Sequence, residues 1–446
     1  MPDKEHISLI GAGLAGPVMA KYLSDHGYRV DIFERRPDMR VVEQSAGRSI
    51  NLALSARGIE ALRSIGIFSK IQSQLLPMKG RMIHDMDGKT HLQSYGQRED
   101  EVIYSVSRAH LNMSLMDHIE QSGNVKIHFE HALENIDLDN SELIFKNNKR
   151  VSFNRVMGSD GSSSCIRNCI NERSSINFQK KPLGHGYKEL TIPATDDGQF
   201  KIDPEALHIW PRGEFMLIAL PNMDRSFTCT LFFPMDGKTS FSSITSNDQI
   251  FDLFNSYFSD TLNLIPDLVE EYQQNPVGSL STVYCDRWNY KDKLVIFGDA
   301  AHAIVPFFGQ GMNASFQDCT VIHNLIEEFY GDWRMIFSEF SKNHVPNGHA
   351  IANMALENYL EMRDFVNDPA YKIKRELEFS LENKFRDRFI PRYSMVSFHT
   401  IPYTEVYKRG LIQLKMMEEY LSGEVTQSTL YENILNQLAP IKEENT

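Results

Sequence analysis

A short, unbroken apolar run at residues 7–10 opens the chain and predicts a buried strand. Helical spacing over 15–26 and a second apolar stretch at 29–33, with VDIF at its centre, complete a β-α-β pattern. Another helical pattern covers 107–122, with Leu111, Leu115, Met116 and Ile119 on one face, and runs into a strand-like segment at 125–129. Between 181 and 283 the texture changes. The stretches YKELTI, ALHIWP, FMLIALP and SFTCTLFF are separated by turn clusters at 211–213 and 221–224, which predicts an antiparallel sheet. A buried parallel-type strand returns at 294–297, followed by a loop and a helix over 311–329, and the remainder reads as mostly helical. The expected organisation is one discontinuous α/β domain over 1–75, 101–180 and 281–335. A β-rich domain over 76–100 and 181–280 is inserted into it, and a helical region follows over 336–446.

Composition narrows the class. The 446 residues are 41% hydrophobic and 24% charged, which suits a soluble protein with a sizeable core. Lys and Arg number 46 against 59 Asp and Glu, a net charge of −13 that makes nucleic acid a poor partner. No apolar run reaches the roughly 18 residues of a membrane span. The opening MPDKEHISLI enters the first strand at once, so no signal peptide is expected. The five cysteines (165, 169, 229, 285 and 319) are odd in number and form no CxxC pair, which argues against disulfides or a metal site and for a cytoplasmic location.

Three motifs carry the candidate chemistry. Gly11-Ala12-Gly13-Leu14-Ala15-Gly16 is a GxGxxG between a strand and a helix. Its first glycine serves the tight turn, its second the approach of backbone to a pyrophosphate, and its third close helix–strand packing. Glu34 closes the second strand, where an acid can accept from a ribose hydroxyl. Gly158-Ser159-Asp160-Gly161 reads by itself as an ordinary Asp-Gly turn. Gly298-Asp299-Ala300-Ala301-His302, followed by Pro306-Phe307-Phe308-Gly309-Gln310-Gly311-Met312-Asn313, places an acid at a strand end before a glycine-rich helix entry. That arrangement suits a ribityl hydroxyl and a flavin ring. In this order the three motifs resemble the FAD fold of aromatic hydroxylases. Only one GxGxxG is present, so a nicotinamide cofactor is expected to bind transiently, without a domain of its own.

The resemblance becomes specific over GRSINLALS (47–55), MKGRMIH (78–84), SVSRAHLN (105–112), HGYKELTIP (185–193), LHIWPR (207–212), ENYLEM (357–362) and FIPRYSMV (389–396), together with the run at 298–313. On these segments the chain resembles the kynurenine 3-monooxygenases, single-component flavoprotein hydroxylases. The resemblance implies an FAD-binding Rossmann-like domain, an inserted antiparallel substrate domain and a C-terminal helical region. It implies hydroxylation of L-kynurenine to 3-hydroxy-L-kynurenine with NADPH and O2, through a flavin C4a-hydroperoxide, in tryptophan catabolism and NAD synthesis. It implies one non-covalent FAD held by Gly11, Gly13, Ala15, Gly16, Glu34, Arg36, Ala53, Arg108, Leu133, Asp299, Met312 and Asn313. It further implies substrate contacts from Arg81, Tyr95, Asn358 and Tyr393, with Phe308, Glu361 and Met362 near the ring or its entry, and no catalytic side chain beyond the flavin. Animal members carry a C-terminal membrane anchor; this chain ends in the polar IKEENT, so no anchor is expected. Monomer and homodimer are both compatible with this reading.

Plainer roles compete for the same residues. Without the family match Arg81 reads as a surface arginine and Tyr95 and Tyr393 as core or rim tyrosines. Asn358 and Glu361, three apart, are one polar side of a helix. His302, close to Asp299, reads as structural, and Met354, Met362 and Met395 as core packing. Two other functions remain in view. One is a hydroxylase of the same class acting on another phenol or an aminobenzoate. The other is a non-catalytic escort protein that keeps the fold, in which the Arg108 and Asp299 motifs would have decayed.

Overall fold

In the computed structural model, residues 5–42, 51–365 and 369–441 are described, and they pack as two large sheets and a helical end. Residues 47–50 of the segment at 47–55, and 442–446 of the polar end, lie outside the described residues. The first sheet has six strands in the order Asn289–Tyr290, Leu294–Ile296, Arg155–Gly158, His6–Ile10, Arg29–Phe33 and Val125–His128. Every pair is parallel except the first. Ile7, Leu9, Val156, Met157, Val295 and Ile296 are wholly buried. Parallel strands are covered on both faces, so they read as continuous apolar runs rather than alternating ones. The helices Ala15–Asp25 and Gly311–Glu328 pack against each other beside this sheet.

The topology explains why motifs far apart in sequence meet. His6–Ile10 lies between Arg29–Phe33 and Arg155–Gly158, so the chain leaves it in opposite directions on its two sides. Such a switch point opens a crevice at the carboxyl ends of the strands. Gly11, Glu34, the turn at 158–161 and the turn at 298–299 each follow the carboxyl end of one of these parallel strands.

The second sheet has seven strands: Gly278–Cys285, Phe178–Ile192, Phe227–Pro234, Met216–Pro221, Ala206–Pro211, Gly80–His84 and Thr90–Ser94. It is antiparallel as expected except at one pair, Ala206–Pro211 with Gly80–His84, which is parallel because distant chain segments meet there. Side chains alternate between its faces. Leu190, Trp210, Leu217, Cys229, Leu231 and Phe233 pack on one side against the helices Asn247–Tyr257 and Leu268–Gln274. These two helices were not anticipated within the β-rich stretch. The signal was present: Ser246 and Gln249 form a reciprocal cap ahead of Ile250, Leu253 and Phe254. The opposite face carries Tyr187, Leu207, Ile218, Leu220, Thr228, Thr230 and Phe232, and it looks toward the first sheet.

Asn51–Leu54, Ile103–Ser107 and Leu76–Met78 form a small antiparallel sheet, and Leu133–Asp137, Glu142–Phe145 and Arg150–Ser152 form another. The helix Trp333–Leu360 opens into a wider π-type turn at Glu361–Phe365, an irregularity often found at functional sites. Pro369–Lys384, Arg392–Ser397, Tyr403–Leu421 and Gln427–Gln437 complete the helical end. Leu381, Phe389, Met416, Met417, Leu430 and Ile434 give it its own core. Met354, Met362 and Met395 are buried together in a further cluster, as expected of packing residues. Among the described residues no helix is long and apolar enough to cross a membrane.

Candidate functional site

A cavity of about 460 Å³ lies between the two sheets. The Gly-rich turn forms one wall. Gly11 has φ 103°, and a Cβ there would stand 2.5 Å from the Ser159 carbonyl; at Gly16 it would stand 2.1 Å from the Gly11 carbonyl. Gly13 differs, because a Cβ there meets nothing within 4 Å and Gly13 itself lines the cavity. The first and third glycines therefore serve packing, and the second leaves the backbone bare toward a ligand. Behind the turn, the Ala12 N–H donates to Glu34 Oε2 (2.8 Å) and Arg36 Nε–H to Glu34 Oε1 (2.8 Å). Burial works against the Glu34 charge, but Arg36 and the Ala12 amide hold its carboxyl below the usual range.

Ala15, Ala53, Arg108, Asp299 and Met312 also line the cavity, and the Arg108 and Asp299 side chains are exposed to it. Leu133 is not among the lining residues; it packs on the first core. Asn313 is wholly buried and its side chain is committed to protein. Its Oδ1 accepts from the Ser55 N–H (2.9 Å), and its Nδ2 donates to the carbonyls of Ala53 and Gly309 (2.8 Å each). Its side chain thus ties the strand Asn51–Leu54 to the turn at Gly309, both of which line the cavity. Asp160 Oδ2 accepts from Cys165 N–H (2.7 Å) at the start of the helix Cys165–Ser174, and its neighbours Ser159 and Gly161 line the cavity. His302 is structural, but its partner is Asp318 (2.6 Å) rather than the nearby Asp299.

The far end of the cavity narrows into an aromatic recess. Tyr95 and Tyr393 stack with ring centres 4.9 Å apart, and Phe308 lies 5.5 Å from Tyr393. Arg81 is buried on the strand Gly80–His84, 4.9 Å from the Tyr393 ring centre. Its Nη2–H donates to Asn358 Oδ1 (3.3 Å), and its Nη1 reaches Glu361 Oε1 only at 3.5 Å. Glu361 accepts a closer bond from the Tyr371 hydroxyl (2.9 Å), and Asn358 Nδ2 donates to the Phe307 carbonyl (2.7 Å). Burial would lower the Arg81 pKa, yet the Tyr371, Tyr393 and Tyr95 hydroxyls and Glu361 raise it. Two buried polar atoms here have no hydrogen-bond partner, Arg81 Nε and Tyr95 Oη. Met362 joins this wall, and Asn358 and Glu361 line a smaller pocket of about 60 Å³ that shares Arg81, Tyr95, Phe308 and Tyr393 with the main cavity.

Some wall residues were missed from sequence. Thr228, Thr230 and Phe232 were accessible through the period of two in SFTCTLFF. Tyr371 and Arg375 were not, since their helix meets the recess only through tertiary packing. Glu189 lines neither pocket; burial pushes its carboxyl up to about 7, with Arg108 pulling the other way.

The cavity fits a flavin dinucleotide in its parts: a glycine cradle with open space above it, an exposed acid at a helix entry, and an exposed arginine opposite. A family model described as FAD binding domain matches residues 5–335. Kynurenine 3-monooxygenase from Stenotrophomonas maltophilia is 44% identical over 422 residues, covering 94% of this chain and 92% of that protein. The Myxococcus xanthus enzyme of the same name is 42% identical over 425 residues, covering 94% and 91%. Among solved structures, a tetrameric 2-methyl-3-hydroxypyridine-5-carboxylic acid oxygenase superposes with a TM-score of 0.66 at 16% identity, covering 85% of this chain and 98% of that one. It shares the fold. The glycine cradle, the convergent strand ends and the full-length similarity lead to one assignment: the chain belongs to the FAD-binding-domain family and, within it, to the kynurenine 3-monooxygenases.

Proposed function

We propose that this protein hydroxylates L-kynurenine to 3-hydroxy-L-kynurenine, using FAD as its cofactor and NADPH and O2 as co-substrates. The observation that carries the substrate is the buried Arg81 guanidinium, held only at 3.3 Å by Asn358 and 3.5 Å by Glu361, in an aromatic recess continuous with the cofactor cavity. An amino acid with an aniline ring meets both features, offering a carboxylate to the donors and a flat ring to Phe308 and Tyr393. In this reading the bare backbone at Gly13 and the amides of the following helix face the FAD pyrophosphate, Glu34 a ribose hydroxyl and Asp299 a ribityl hydroxyl. Arg36, Ala53, Arg108, Met312 and Asn313 complete the cofactor set, Asn313 through its main chain, and Leu133, packed on the first core, backs it without lining the cavity. Bound there, FAD supplies hydride acceptance and O2 activation, chemistry that no side chain can perform.

The chain's own tasks are positioning and dryness. Arg81 and Tyr95 fix the carboxylate, and Asn358 and Glu361 face the α-amino group. Phe307, Phe308 and Met362 exclude water from the ring. The aniline nitrogen activates its own ortho carbon, so the ring needs no base from the protein. Glu361 meets Arg81 at a loose 3.5 Å, a contact that a better-placed carboxylate can replace. In this reading 1–75, 101–180 and 281–335 hold FAD, while 76–100 and 181–280 with the helices of 336–446 enclose the substrate. The five unpaired cysteines support a cytoplasmic location.

Substitution of Arg81 provides the test. Truncating one partner of a buried charge pair costs about 2–5 kcal/mol. Arg81→Met is therefore expected to weaken L-kynurenine binding about 30-fold or more while FAD stays bound. Kynuramine lacks the carboxylate. Wild type should bind it poorly, and Arg81→Met no worse than wild type. Equal loss for both ligands would mean that Arg81 shapes the pocket and the clamp lies elsewhere.

A further inference from the structure

The substrate wall and the cofactor wall are joined by one buried cation. Arg57 lies in the helix Ala56–Ser64 and is among the largest fully buried side chains. Its Nη1–H donates to the Val396 carbonyl and its Nη2–H to the Ile401 carbonyl, both main-chain and neutral. The guanidinium sits 4.1 Å from the Tyr403 ring centre. Holding a charge inside protein on neutral acceptors is unfavourable, and an apolar side chain would fill the space at lower cost. The arrangement does more than fill space, because it touches both halves of the site. Val396 belongs to Arg392–Ser397, the helix that presents Tyr393 to the recess. From the other side, the Tyr403 hydroxyl donates to Gln310 Oε1 (2.8 Å), and Gln310 Nε2 donates to Ser55 Oγ (3.2 Å). Ser55 N–H in turn meets Asn313, the clamp on Ala53 and Gly309.

Resting on the function proposed above, we propose that Arg57 is a positioning residue that locks the substrate-facing helix Arg392–Ser397 to the cofactor-facing helix entry at 309–313. Productive turnover thereby depends on a contact outside both binding sets. With the lock intact, kynurenine in the recess and the cofactor-facing helix entry adopt one relative placement. Without it, NADPH and O2 with a proton give NADP+ and hydrogen peroxide, and no hydroxylated product forms.

The test compares Arg57→Met, Arg57→Lys and Tyr403→Phe in the FAD-loaded enzyme. The measurements are flavin occupancy, NADPH oxidation with and without L-kynurenine, and the yield of 3-hydroxykynurenine per NADPH. Arg57→Met should keep its flavin yet lose about fivefold or more of the kynurenine stimulation, with peroxide replacing product. Arg57→Lys, which can still reach the two carbonyls, should recover part of that loss. Tyr403→Phe leaves Arg57 and the ring in place and removes only the hydroxyl that reaches Gln310; its yield should fall in the same direction. Should Arg57→Met fail to fold, Tyr403→Phe decides the matter. Wild-type stimulation and yield in Tyr403→Phe, with only thermal stability changed in the arginine variants, would overturn the positioning role. Absence of any kynurenine stimulation in wild type would instead overturn the substrate assignment.

Discussion

Two aspartates near the cofactor wall divide one task. Asp299 is exposed to the cavity, whereas Asp318 is wholly buried, its Oδ2 accepting from Gly298 N–H (2.7 Å) and His302 Nε2 (2.6 Å) and its Oδ1 lying 2.9 Å from His344 Nε2. Asp318 fixes the turn, with Gly298 at φ 60°, and in the proposed reading Asp299 is left free to accept from a ribityl hydroxyl. Asp299→Ala should therefore fold normally and bind FAD about tenfold or more weakly, since a hydrogen bond to a charged acceptor is lost. Full flavin occupancy under dilution would remove Asp299 from the cofactor set. The buried cluster predicts a pH effect. Burial opposes the Asp318 charge, but His302 and His344 more than offset it and lower its pKa. Burial likewise opposes the His302 charge, and Asp318 raises its pKa. The Asp318 contribution is full above its unfolded value and is lost as pH falls through its folded one. The His302 contribution is full below its unfolded value and is lost as pH rises through its folded one. Both are complete between about pH 4 and 6.5. The melting-temperature gap between wild type and His302→Gln should accordingly be wider near about pH 6 than near about pH 9. A gap independent of pH would mean that His302 contributes packing and no charge.

At the scale of elements, the strand–turn–helix unit is where sequence and structure agree best. Each part of it is local: an apolar strand, a turn that glycine alone can make, and a helix entered at once. The same locality made Glu34 and Asp299 legible, because each closes a short apolar run. The unit also separates folding from binding. Gly16→Ala drives a Cβ into the Gly11 carbonyl, so a backbone shift is required and a loss of about 1–3 kcal/mol of stability is expected. Gly13→Ala meets no protein atom within 4 Å, so the flavin-free protein should melt as wild type does while its FAD affinity falls. Matching melting curves for the two variants would contradict this division. What stayed hidden depends on pairing between distant segments. Nothing in MKGRMIH announces that its strand joins Ala206–Pro211 in parallel, yet that pairing carries Arg81 into the sheet facing the cofactor wall. Arg81 and Tyr95 were named through family resemblance, and their periodicity alone reads as surface and core. Arg57 and Asp318 were invisible for the same reason, since their partners lie on other elements.

The whole molecule places its candidate pocket where three bodies meet. The parallel sheet supplies the glycine turn and Asp299, the seven-stranded sheet supplies Arg81 and Phe232, and the helical end supplies Asn358, Met362 and Tyr393. A ligand held at such a junction binds only while the bodies stay together, so its binding energy opposes their separation. Saturation at about 100 times Kd should slow amide exchange up to about 100-fold wherever exchange requires the junction to open. That set should include Arg392–Ser397 and the first turns of Tyr403–Leu421, which border Tyr393 and the Arg57 contact. It should exclude Gln427–Gln437, whose buried residues Leu430 and Ile434 belong to the separate helical core. The same geometry predicts control of turnover. Arg81 is held at 3.3 Å by Asn358 and 3.5 Å by Glu361, contacts that a bound carboxylate can compete with. Kynurenine bound as proposed would be shared by all three bodies. L-kynurenine should therefore speed NADPH oxidation by about an order of magnitude or more, as closure around substrate commonly governs rate in such sites. Exchange and NADPH oxidation should respond over one concentration range of kynurenine. Acceleration without protection of Arg392–Ser397 would place the control outside this junction, and protection spread equally to Gln427–Gln437 would mean that the helical end moves as one piece.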